Sequence, residues 1–164
     1  MKPSGLWILV LIFPGLCAGA QKEIIPPAQI TKCLKLVGGP FEISSDTNPY
    51  YLRGDFFGKG TMAYAVAVRQ NSTVRPGVIL CPATGSPVVL MHGWTGRFAS
   101  KEIEANFFVA PEWEAYTRNE TNSLLRQNNH PGIAAGESIA MIWEDGIGLL
   151  FFDGKRFHWT PSLQ

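Results

Sequence analysis

Residues 62–69 read MAYAVAVR. Tyr64, Val66 and Val68 alternate with Ala65 and Ala67, so a strand here is apolar on both faces. Such a strand has to be covered on both sides by other layers. That requirement restricts the chain to a layered architecture with a sheet in its interior. Shorter apolar runs lie around it, at 50–52 (YYL), 78–81 (VILC) and 88–91 (VVLM), with residues 71–76 as a connection. Links this short favour antiparallel neighbours over crossovers.

The two ends carry their own signals. Pro27 suits a first helical position, where its missing N–H costs nothing. Ile30, Cys33, Leu34 and Val37 recur at helical spacing, and Gly38-Gly39-Pro40 ends the pattern. The sequence therefore predicts one short helix over 27–37 with Cys33 on its apolar face. Near the other end, 138–143 reads as a strand, Glu144-Asp145-Gly146 as a turn and 147–152 as a strand. A second turn, Asp153-Gly154-Lys155-Arg156, leads to a last strand at 157–159, and Asp-Gly between apolar runs is a strong hairpin signal. Between 93 and 131 the pattern is weak. Pro111 is placed to open a helix carrying Trp113, Tyr116 and Leu124, and the polar residues 119–129 read as a loop. The fold class expected is α+β or mainly β: an antiparallel β meander with one short N-terminal helix and a C-terminal hairpin.

Residues 1–20 have the layout of a secretory signal: Lys2, an apolar run over 6–16, then Ala18-Gly19-Ala20. The run is too short to cross a bilayer, which takes about 20 apolar residues. Leu16, before Cys17, is not the small residue a lipid-attachment signal places there. The expectation is an exported chain, periplasmic or extracellular, with residues 1–20 removed and 21–164 forming one β-rich domain with no membrane span. Cleavage removes Lys2 and no acid, so the formal charge falls from +1 to zero. With no run of more than two basic residues, nucleic acid is set aside as a partner. Cys33 and Cys81 remain. In an exported chain an even pair suggests a disulfide closing a loop of about fifty residues, worth about 3–4 kcal/mol. Two buried thiols acting as small hydrophobes are the alternative.

Residues 54–68 read GDFFGKGTMAYAVAV. This resembles the loop-plus-strand unit of FG-GAP and related calcium-loop repeats. It resembles more closely the small secreted bacterial domains of unknown function that carry one such unit. Gly54, Asp55, Gly58, Gly60, Tyr64, Ala65 and Val66 carry the likeness, and the closing FFDGKRFHW resembles the final hairpin of such domains. The resemblance implies a calcium-loop geometry, yet Ca²⁺ needs six to eight oxygens. Asp55 is followed at the ligand positions by Phe57 and Lys59, and Ala63 stands where the pattern has another acid. The expectation is a degenerate loop with no metal and no other cofactor, in which Lys59 supplies positive charge near Asp55.

Two further readings concern function. The run 88–96 (VVLMHGWTG), followed by Ser138, Asp153 and His158, has the residue order of an α/β-hydrolase, with His92 beside the oxyanion loop. Against it, Ser138 is followed by Ile139-Ala140 instead of the glycine a nucleophile elbow needs. The spacing from Ser138 to His158 also leaves no room for βα units. Among the many aromatic residues, Phe107, Phe108 and Trp113 are the candidates for an exposed ligand-binding patch. Two triplets, 71–73 and 119–121, match the N-glycosylation pattern and mark surface loops. The leading expectation is an exported non-catalytic module that binds a protein or an envelope polymer. The alternatives are a small serine hydrolase built on His92, Ser138, Asp153 and His158, and a calcium-dependent adhesion-type unit built on Asp55.

Overall fold

The computed structural model describes residues 25–71, 75–100, 107 and 109–163. The expected signal segment 1–20 and Phe108 lie outside these. Among the described residues are two helices and two antiparallel sheets. The first sheet contains β1 (Phe41–Ile43), β2 (Tyr51–Gly54), β3 (Ala63–Gln70), β4 (Arg75–Pro82) and β5 (Val88–Leu90). The second is a meander of β6 (Glu112–Tyr116), β7 (Ser138–Trp143), β8 (Gly146–Phe152) and β9 (Phe157–Leu163). Helix α1 spans Ala28–Val37 and α2 spans Arg118–Gln127.

The doubly apolar run becomes β3, the centre of the first sheet. One edge pairs with β4 from Ala63–Pro82 to Gln70–Arg75. The opposite edge is shared, with β2 alongside 63–66 and β1 alongside 68–70. The two short strands are thus halves of one edge strand, interrupted by residues 44–50. The alternation of β3 also settles the layers. Ala65 and Ala67 face the second sheet, where they meet Val78, Leu80 and Leu90 and, across the interface, Trp113, Ile139, Met141, Leu150 and Trp159. Small alanines there leave room for the large side chains opposite, as interior packing density requires. Val66 and Val68 face the other way, with Ile79 and Val89, against Ile30, Cys33 and Val37 of α1. The far face of the second sheet packs Ala140, Leu149 and Phe151 against Leu125 of α2 and Ala134. The order of layers is α1, first sheet, second sheet, α2.

The fold class, the N-terminal helix and the C-terminal hairpin agree with the sequence. The middle differs in two places. Residues 112–116 (EWEAY) form a strand instead of continuing a helix from Pro111, because their period is two: Trp113 enters the inter-sheet core while Glu112 and Glu114 stay exposed. The segment 119–129 is mostly helix, not loop. Thr117 and Glu120 form a capping box: the Glu120 amide donates to Thr117 Oγ1 at 3.3 Å, and Glu120 Oε2 accepts from the Thr117 amide at 2.8 Å. One buried leucine, Leu125, then suffices to anchor the helix face.

Candidate functional site

The glycine-rich loop after β2 is a clip between the sheets. Asp55 Oδ1 accepts from the Lys59 amide at 3.0 Å and Oδ2 from the Gly60 amide at 2.7 Å. Both carboxylate oxygens therefore stabilise the turn, and Lys59 meets Asp55 through its backbone. The main chain of Asp55 joins the other sheet. Its amide donates to Glu137 Oε2 at 2.9 Å, and its carbonyl accepts from the Glu137 amide at 3.0 Å. The approach is close enough to demand glycine. A Cβ on Gly136 would lie 2.2 Å from the Asp55 carbonyl oxygen, and one on Gly58 (φ +64°) would lie 2.5 Å from the Ala135 backbone. Among the described residues no group of three or more His, Cys, Asp or Glu is arranged to hold a metal ion.

The residues of the hydrolase reading are dispersed. Ser138 opens β7 and is fully buried beneath α2, with Oγ 2.6 Å from Thr121 Oγ1. Thr121 Oγ1 donates its single proton to the Thr117 carbonyl at 2.9 Å, so the Ser138 hydroxyl is the donor of the pair. The register sets Ser138 one residue beyond the Ile139–Leu150 pair, level with Phe151, and Phe151 pairs with His158. Ser138 and His158 thus stand two strands apart, about 10 Å, with the Phe151 strand between them. The Phe151 ring stacks on His158, centroids 5.2 Å apart. His92 lies exposed beyond β5 on the other sheet.

Asp153 and His158 do come together. His158 Nε2 is 2.8 Å from Asp153 Oδ2, while Asp153 Oδ1 accepts from the Lys155 and Arg156 amides at 2.7 and 2.8 Å. The Arg156 amide above all, with His158 second, holds the Asp153 carboxyl well below the usual carboxylate range. Its role is to close the β8–β9 turn. His130, in the segment after α2, is a titratable residue that the sequence does not mark out. Its Nδ1 accepts from the Gly132 amide at 3.0 Å and its Nε2 lies 3.2 Å from Thr160 Oγ1. Burial first, then the neighbouring His158, pushes its imidazole down from the usual range.

Of the three aromatics expected to be exposed, the two that are described, Phe107 and Trp113, are buried. Phe107 meets Trp159 edge-to-face at 5.2 Å, and Trp113 is buried, its indole N–H donating to the Pro49 carbonyl. Both are recruited to the inter-sheet core, where Ala63, Ala65 and Ala67 of the first sheet leave room for large side chains. An open concavity lies elsewhere, in residues 91–100 beyond β5. It encloses about 550 Å³ and is walled by Trp94 and Phe98. The loop returns to its own strand: the Val89 amide donates to the Phe98 carbonyl at 2.8 Å, and the Ser100 amide to the Val89 carbonyl at 2.9 Å. Trp94 packs edge-on against Phe41 at 4.8 Å and donates its indole N–H to the Arg97 carbonyl at 3.2 Å. Phe98 holds φ at +61°, an uncommon conformation for a residue with a Cβ.

Cys33 and Cys81 are bonded, with Cα atoms 5.7 Å apart, and tie α1 to β4. Fold and sites together define a disulfide-bonded α+β protein with a preformed loop hollow at one end of its first sheet. No family model, curated protein or solved structure matches the chain.

Proposed function

We propose that this is an exported, non-catalytic module that binds a protein or an envelope polymer through the hollow at residues 91–100. The observation that carries the reading is the use to which the chemistry-bearing side chains are put. Ser138, Asp153, His158 and Asp55 are each engaged in bonds that hold the scaffold, while the preformed hollow remains open. The disulfide supports export, because such bonds persist in oxidising compartments. The degenerate calcium-loop unit is read as a scaffold turn whose ligand carboxylates have been replaced.

Mass spectrometry of exported protein should find a chain beginning at Gln21. Used as bait in envelope extract, that protein should retain a partner that is lost when residues 93–97 are replaced by a glycine-serine linker. Short esters should be hydrolysed no faster by the wild type than by Ser138→Ala. Fluorophosphonate labelling of Ser138 would make the hydrolase the better reading.

A further inference from the structure

We infer that the hollow at residues 91–100 is a binding site for an acidic saccharide, a sugar chain bearing carboxylate or sulfate groups. This rests on the binding-module reading and names its ligand class.

Charge is the first argument. Although the whole chain is near neutral, its two parts are opposite in sign. Through Lys101 it has ten Lys and Arg against four Asp and Glu, and beyond it four against nine. From Phe56 to Lys101 there is no Asp or Glu at all. The hollow lies inside that stretch, so an anion meets no carboxylate on the loop itself. Two guanidiniums stand beside the hollow, each against one of its lining residues and neither itself part of the lining. A Cβ built on Gly93 would lie 2.8 Å from Arg75 Nη1, so Arg75 rests against the loop backbone. Arg97 sits over the Phe98 ring at 5.0 Å from its centroid. The ring holds that guanidinium by its face and leaves its N–H edge available for a paired contact with an acid group. By contrast, Arg69 on the same sheet is engaged by Glu42.

Shape and polarity favour a saccharide among anions. The volume lies within the range of about 300–1,000 Å³ typical of sites for small organic ligands. Trp94 and Phe98 supply apolar wall for the C–H face of a sugar ring. His92, Thr95 and Ser100 supply polar groups for its hydroxyls. The loop is set before any ligand arrives, by its two bonds to Val89 and the Trp94 indole bond, which lowers the ordering cost of binding. The positive φ of Phe98 is the strain of holding that ring, and Arg97 on it, in place.

Calorimetry on the exported, disulfide-intact protein tests this with oligogalacturonate and a heparin tetrasaccharide as acidic probes. Maltotetraose is the neutral control and a thymidine oligonucleotide the non-sugar polyanion. An acidic probe should bind, more weakly as salt rises, and Arg97→Gln or Arg75→Gln should each weaken it about tenfold with unchanged Tm. The inference is overturned if neither acidic sugar binds, if maltotetraose binds as well, if the oligonucleotide binds more tightly, or if both variants bind like the wild type. Should the acidic sugars fail while the envelope partner still depends on residues 93–97, the ligand class falls and the binding-module reading stands.

Discussion

The two helices do the same job by different means. Each has ten residues and each covers the outer face of one sheet. Helix α1 follows Pro27 at its N-cap, with no side-chain cap bond, and it is joined to β4 covalently through Cys33–Cys81. Helix α2 has a complete capping box and no covalent tie; its hold on the sheet is Leu125 and the buried Thr121–Ser138 hydroxyl pair. An amphipathic helix without a side-chain cap gains most from a bond that limits the unfolded chain. A self-capped helix between two strands needs only correct docking.

Removing the disulfide should have the largest effect. With its ends 48 positions apart in sequence, Cys33→Ala/Cys81→Ala should cost about 4 kcal/mol of unfolding free energy in urea. A loss under about 1 kcal/mol would mean that packing of Ile30 and Val37 already secures α1. On the other side, Thr121→Val leaves the buried Ser138 hydroxyl without its acceptor and should cost about 1–3 kcal/mol. Ser138→Ala should cost less, since Thr121 still donates to Thr117. Equal losses would show that the donor assignment is reversed.

Acid should weaken the α2 side before the α1 side. His130 has a lowered folded-state pKa, so below the ordinary histidine value of about 6.5 the unfolded chain binds the extra proton. Its contribution is complete above that pH and falls as pH drops through the folded-state value. Asp153 behaves likewise from about pH 4 downward, where the unfolded carboxylate protonates first. Thermal melts across pH should show both declines, the first removed by His130→Gln and the second by Asp153→Asn. The smallest expected effect is that of Ca²⁺. Both oxygens of Asp55 already accept backbone amides, so calcium or a chelator should leave Tm unchanged. A rise of several degrees would revive the adhesion-type unit.

Much of this fold was legible where one residue pattern had one solution. The alternation of 62–69 announces a doubly covered strand, and 138–159 announces its hairpins through Asp-Gly turns. The disulfide was legible as a pairing of the two cysteines outside the expected signal segment, with buried thiols as the alternative. The middle was harder because its signals are short. Thr117-Arg118-Asn119-Glu120 is a helix start in four residues, and the polar texture of 119–129 outweighs it. Trp113 and Phe107 read as surface aromatics because nothing local says that alanines will face them across a second sheet. The hollow at 91–100 was visible only as a hydrolase-like string. Its concavity depends on the loop returning to Val89, a pairing with no local marker.

The seam between the sheets bears on whether this chain is divisible. Each half has its own sheet and its own helix, and cutting between β5 and β6 would seem to yield two small modules. Yet the interruption of the first edge strand sends the Asn48 amide to the Pro111 carbonyl at 2.8 Å, and the Asp55 main chain bonds both the Glu137 amide and its carboxylate. Either half alone would expose the alanine-and-tryptophan interface along its whole face and leave these amides unmatched. The molecule is therefore a poor candidate for splitting into complementing fragments or for shuffling one half onto another protein. Insertions are better directed to turns that take no part in the seam, such as that at Gly85.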